Sequence, residues 1–177
     1  MIKKIISGGQ AGAERAGLDT AIKLKIPHGG WIPKGRKAED GQLSDKYQLQ
    51  EMITDSYPAR TERNVVDSDG TLIISHGPLT GGSADTRKMA MKHGKPWFHT
   101  NLNKLPTFQA GMIIEDWISK NKIHPSKKVP KMKRILPYFV AAMVSLIIFT
   151  ESSYSIDIYN FADQSSYRCR GGIAVKV

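Results

Sequence analysis

The sequence predicts an α/β fold in which helices cover both faces of a mostly parallel sheet. Two observations predict it. Strand-length apolar runs alternate with helix-period segments across residues 2–121. Two of the junctions that follow such runs are rich in glycine, as strand-to-helix turns in parallel sheets are. Residues 2–7 form the first run, broken by Lys3 and Lys4 and ended by Gly8-Gly9. The same lysines argue against a secretory leader at this end. Ala13, Ala16, Gly17, Thr20, Ala21 and Leu24 then recur at helical spacing, and Pro27 follows. Residues 29–41 hold Gly, Pro and charge around one apolar pair, Trp31-Ile32, and read as a short strand and a long loop. Residues 61–66 read as the end of a short helix. Residues 71–75, Thr-Leu-Ile-Ile-Ser, read as a buried strand. A loop is expected at 77–82, and a helix at 83–93 stopped by Gly94 and Pro96. A strand is expected at 97–99, and a helix at 107–121 that mixes Met112, Ile113, Trp117 and Ile118 with Glu115 and Asp116.

A chain of 177 residues fits one ordinary domain with an appendage. The net charge of +10 invites a nucleic-acid reading. Its distribution weakens that reading, because half of the excess falls in residues 125–177, where eight Lys+Arg face three Asp+Glu. The mildly basic remainder lacks aromatics interleaved along a basic face, so no nucleic-acid partner is expected. The single Cys169 excludes an internal disulfide and a cysteine-built zinc site. His28, His76, His93 and His99 have no metal-ligand spacing, so no metal site is expected. No Ser-His-Asp or Cys-His arrangement can be argued, and no catalytic residue is assigned.

The two glycine-rich turns carry the chemistry. The first is Ser7-Gly8-Gly9-Gln10-Ala11-Gly12-Ala13-Glu14-Arg15, and the second is Gly77-Pro78-Leu79-Thr80-Gly81-Gly82-Ser83. Glycine lets a backbone approach a phosphate, and the N–H groups of a helix start attract negative charge. Gly8, Gly9, Gln10, Gly12 and Arg15 are therefore expected to join Thr80, Gly81, Gly82 and Ser83 around one anionic group at the carboxyl ends of the strands. The plainer reading is two tight turns, with Ser83 a helix cap. Neither turn is a P-loop or a full dinucleotide fingerprint. Between them, Lys34, Gly35 and Arg36 could clamp an anionic ligand, and Arg63 could enter the same crevice. The plainer reading there is a solvated loop and a surface ion pair.

Several blocks resemble the molybdenum carrier family. They are Ile5-Ile6-Ser7-Gly8-Gly9-Gln10-Ala11-Gly12-Ala13-Glu14-Arg15-Ala16, the stretch from Pro27-His28-Gly29-Gly30-Trp31 to Glu39-Asp40-Gly41, Arg60-Thr61-Glu62-Arg63-Asn64-Val65, Asp67-Ser68-Asp69-Gly70-Thr71-Leu72-Ile73-Ile74, and the second glycine turn. The resemblance covers about residues 1–121. It implies a Rossmann-like three-layer fold in the superfamily of the lysine-decarboxylase-like phosphoribohydrolases. It also implies binding of the molybdenum cofactor (molybdopterin), or of a related pterin or nucleotide. Two departures matter. The phosphoribohydrolases carry a glutamate three residues beyond their second glycine loop, where this sequence has Lys88. The family's further strand and Asn-Val-Ala-Gly-Pro-Arg stretch are not found, and the match stops near Ile123.

Residues 1–124 are thus expected to form the ligand-binding domain and residues 125–177 an atypical tail that is no integral layer of it. The tail has a basic stretch, then the sixteen uncharged residues 135–150, which are short for a spanning helix. It resembles a signal segment or an anchor fused to the domain. The competing readings are a buried helix that completes the core and a membrane contact. The functional expectation is a cytoplasmic, homo-oligomeric carrier of a small anionic ligand, with molybdoenzymes as recipients and no covalent chemistry of its own. The alternative is a nucleotide or nucleoside-phosphate hydrolase using the same crevice.

Overall fold

The computed structural model describes residues 2–121 and a strand at 172–176. In chain order the elements are β1 (Lys4–Ile6), α1 (Ala13–Lys23), β2 (His28–Gly29), β3 (Trp31–Ile32), β4 (Lys37–Ala38), β5 (Gly41–Gln42), β6 (Gln50–Glu51), α2 (Tyr57–Val66), β7 (Gly70–Ser75), α3 (Gly81–Lys92), β8 (Trp97–Asn101), α4 (Thr107–Lys120) and β9 (Gly172–Lys176). The main sheet runs β2-β1-β9-β7-β8. β1 pairs with β2 in parallel, and β7 with β8. β9 is antiparallel to both neighbours, so the other four strands share one direction. This is the α/β arrangement expected from the alternation, and it is Rossmann-like, as the family resemblance implies.

Packing follows from strand periodicity. All six residues of β7 are buried. Alternate side chains of a strand face opposite sides. Leu72 and Ile74 join Ile5, Ala13, Ala16, Ile114 and Ile118, which sets α1 and α4 on one face. Thr71 faces α2 and α3 on the other. A second cluster gathers Leu18 of α1 with Ile32, Ala38, Leu43, Tyr47 and Leu49, so the long segment after β2 closes over α1. That segment is less irregular than its composition suggests. It holds the small parallel pair β3–β6 and the hairpin β4–β5. α2 is capped by Ser56, whose hydroxyl accepts from the Ala59 N–H at 3.3 Å. α3 spans Gly81–Lys92, but Gly81 keeps a left-handed φ of +50°, the conformation of a turn, so the helix departs from the expected loop at Gly82.

The tail departs from its expectation at one place. β9 belongs to residues 125–177, yet it is paired on both sides, with Lys4–Ile6 and with residues 70–73. Two carboxyl-directed strands, β1 and β7, are joined through it. The 135–150 run and Cys169 lie outside the described residues. No helix among the described residues is long and apolar enough to cross a membrane.

Removing residues 125–177 therefore takes away two backbone ladders and leaves facing edges of β1 and β7 open. The truncated chain should melt at a lower temperature than the full chain in a thermal scan. An unchanged midpoint would show that the sheet closes without β9.

Candidate functional site

A cavity of about 310 Å³ lies between the turn after β1 and the start of α3. Gln10, Glu14 and Glu39 form one wall, Tyr57, Arg60 and Thr61 of α2 a second, and Gly82, Asp85 and Thr86 of α3 a third. The two glycine turns thus border one space. Of the residues singled out in the sequence, Gln10 and Gly82 line it directly.

The cavity rests on a buried ion pair. Arg60 Nη1 donates to both carboxylate oxygens of Glu14, at 2.9 and 3.2 Å. The side chains are 6% and 3% exposed. Burying two charges has a large desolvation cost, which only close geometry and further hydrogen bonds offset. A further bond comes from the Gln10 N–H, which donates to Glu14 Oε2 at 3.0 Å. The Ser7 hydroxyl donates to the Glu14 carbonyl and accepts from the Gly9 N–H. The amides of Gly9 and Gln10 are therefore used within the first turn itself. Gly8 lies directly under Arg60, and a Cβ there would collide with the guanidinium. Gly9 has a φ of +73°, a conformation that glycine adopts without strain.

The second turn is differently disposed. The Ser83 hydroxyl donates to the Thr80 carbonyl at 2.7 Å and accepts from the Thr80 N–H at 3.1 Å. Thr86 Oγ1 donates to the Gly82 carbonyl at 2.8 Å. With Gly82 on the wall, α3 brings its amino-terminal end, the electropositive end of a helix, to the cavity. Behind this turn Ser75 Oγ bonds the Gly77 carbonyl and His99 Nε2, each at 2.8 Å. Burial and the charge of Arg87 lower the His99 pKa, so the ring is neutral at neutral pH.

The remaining candidates hold the surroundings together. Gln10 Nε2 donates to the Lys37 carbonyl and its Oε1 accepts from the Glu39 N–H. Arg15 reaches across to Asp40 at 2.7 Å and donates to the Gly9 carbonyl. The hydrogen bond from Arg15 holds the Asp40 carboxyl below its ordinary range, so the pair stays charged at neutral pH. Together these contacts pin the β4–β5 hairpin to the cavity rim. Gly12 is the N-cap residue of α1. Arg36 spends its guanidinium on the carbonyls of Leu43, Ser44, Tyr47 and Leu49 and pairs with Asp45. Arg63 lies over the Trp31 ring at 5.0 Å and pairs with Asp67. Lys34 is exposed, and the Gly35 N–H donates to Glu51. None of these last four lines the cavity. Lys88 pairs with Asp85 on the exposed face of α3. Among the described residues, no group of three or more His, Cys, Asp or Glu is placed to hold a metal ion.

Sequence reasoning missed Glu14 and Arg60 as site residues. Both stand inside recognised blocks, but 46 positions separate them. A charged residue in each of two helices carries no local sign that they meet.

Over residues 5–127 the chain matches the model of the circularly permutated YpsA SLOG family. It is 45% identical to a protein of solved structure, over 82% of this chain and 94% of that one, with a TM-score of 0.70. That structure, at 1.45 Å resolution, is named as a putative molybdenum carrier protein from Syntrophus aciditrophicus SB. No curated protein matches the chain.

The close approach of Gly8 to Arg60 gives a sharp expectation. Gly8→Ala should push the guanidinium off Glu14 and destabilise the protein by about 3–5 kcal/mol, the cost of a broken buried pair. Urea unfolding measures this directly. A change under about 1 kcal/mol would mean that the pair is free to shift and is not fixed by the turn.

Proposed function

Because the chain belongs to the circularly permutated YpsA SLOG family, we propose that it is a carrier that binds a small phosphate-bearing ligand in the cavity between its two glycine turns. The observation that carries this reading is the meeting of Gln10, Arg60 and the start of α3 at one space of about 310 Å³. The relative named as a molybdenum carrier supports the molybdenum cofactor, or a related pterin or nucleotide, as the ligand class. The wall fits such a group. Its phosphate would lie at the start of α3, near Gly82 and Arg60. Glu39 and Asp85 offer carboxylate acceptors for the adjacent ring and amino N–H donors of a pterin or guanine. The Tyr57 ring offers a stacking face. When bound, the cofactor's metal supplies redox chemistry to a recipient enzyme; the residues here bind it, orient it and shield it. The predicted roles of Gly8, Gly9, Gly12 and Arg15 become indirect in this reading, as they shape the turn and hold its rim. The same reading makes the protein a cytoplasmic homo-oligomer that hands its cargo to molybdoenzymes.

One observation favours a second reading. Lys88 replaces the acid expected beyond the second turn, but Glu14 brings a carboxylate to the cavity from the first. A nucleoside-phosphate hydrolase could use it. The carrier is favoured because Glu14 is already engaged by Arg60 and the Gln10 amide.

Calorimetric titration with GMP, together with assay for released guanine, tests both readings. The parent should bind GMP without releasing the base. Gly82→Leu, which fills the wall with a helix-compatible side chain, should weaken binding at least tenfold, about 1.4 kcal/mol. Equal binding by the two proteins would overturn the placement, and release of guanine would establish the hydrolase.

A further inference from the structure

Behind the ligand cavity lies a second, much smaller one of about 10 Å³. Glu14, Arg60, Thr61, Asn64, Thr71 and Thr86 are on its wall. Two of these residues carry a buried polar atom with no protein partner among the described residues, Arg60 Nε and Thr71 Oγ1. Arg60 is 5% exposed and Thr71 is fully buried. Buried polar groups are almost always hydrogen-bonded, so two orphans on one small cavity need a common explanation. The neighbouring side chains do not supply it. Asn64 is committed to both backbone groups of Trp31. Thr86 donates its proton to the Gly82 carbonyl and keeps only acceptor capacity.

We infer that this cavity is a hydration site for one internal water, and that Thr71 acts through that water as a positioning residue for Arg60. The volume suffices for a single water, and the wall supplies the two to four polar partners such a water requires. The water accepts from Arg60 Nε–H, shares a hydrogen bond with the Thr71 hydroxyl, and can donate to Thr86 Oγ1 or Glu14. Arg60 is then held at two nitrogens, Nη1 by Glu14 and Nε by the water. Its guanidinium is oriented before any ligand arrives, which lowers the ordering cost of binding. Only the binding arm of the test below rests on the carrier reading; the others read the hydration site itself.

The test compares two substitutions in the full chain. Thr71→Val keeps the shape and removes the hydroxyl, while Thr71→Ser keeps the hydroxyl and removes a methyl group. A high-resolution crystal structure of the parent should show one ordered solvent peak within hydrogen-bonding distance of Arg60 Nε and Thr71 Oγ1. Thr71→Val should melt about 2–4 °C below the parent, the shift expected of one lost buried hydrogen bond in a chain of this size. It should also bind GMP several-fold more weakly, with Thr71→Ser restoring the parent affinity. A dry cavity would overturn the inference. So would a Thr71→Val variant as stable as the parent or more so, because deleting an orphan hydroxyl from a dry pocket stabilises. Failure of the parent to bind GMP, with solvent peak and melting order as stated, would count against the carrier reading alone.

Discussion

Arg60 and Glu14 have to be buried together, and much of the domain is arranged around that requirement. The pair joins α2 to the first turn of α1 across 46 residues of sequence. It demands a glycine at position 8, because any side chain there meets the guanidinium. It takes up the Gln10 amide, which a phosphate-binding turn would otherwise leave open. The turn after β1 is therefore built to seat a protein carboxylate, and it supports the cavity from below. The anion-attracting end of the cavity passes to α3, where Gly82 stands on the wall. Two similar glycine-rich segments thus divide the work, one structural and one facing the cavity.

The sheet places the two turns side by side by an unusual route. β1 and β7 run in the same direction but do not touch, since β9 is inserted between them in the opposite sense. Parallel strands on either side carry their turns to one end, and the central strand sets the spacing between them. The rim is closed by the hairpin β4–β5, which Gln10 and the Arg15–Asp40 pair fasten down. Charged residues that look like ligand clamps in a sequence are here mostly clamps on the protein's own loops, with Arg36 on four carbonyls the clearest case.

The parts of the fold that were legible in the sequence are those with a period. The buried run of β7 and the helices α1, α3 and α4 announce themselves through apolar spacing, to within a residue or two at most ends. Two-residue strands such as β2 and β4 to β6 cannot show alternation, so within residues 29–41 only the short strand at Trp31-Ile32, which is β3, was expected, followed by a long loop. The start of α3 was hidden because Gly82 suits a turn and a helix equally well, whereas Gly81 does take the left-handed φ of a turn. β9 was set apart because it follows a change in composition, although Gly-Ile-Ala-Val-Lys is a plausible strand on its own. In the site, glycine content and order located the two turns, and the resemblance named the family. The partners of Glu14, Arg60, Arg15, Arg36 and Arg63 were not legible, because pairing over such separations is decided by the tertiary fold.

The most direct test of this account is a double-mutant cycle on the buried pair, using Glu14→Gln and Arg60→Met in the full chain. Each single change should be strongly destabilising, as it strands one partner in the interior. The double variant should recover part of that loss, with a coupling of about 1–3 kcal/mol in urea unfolding. Costs that simply add would contradict the account, since the cavity floor would then not depend on the two charges meeting.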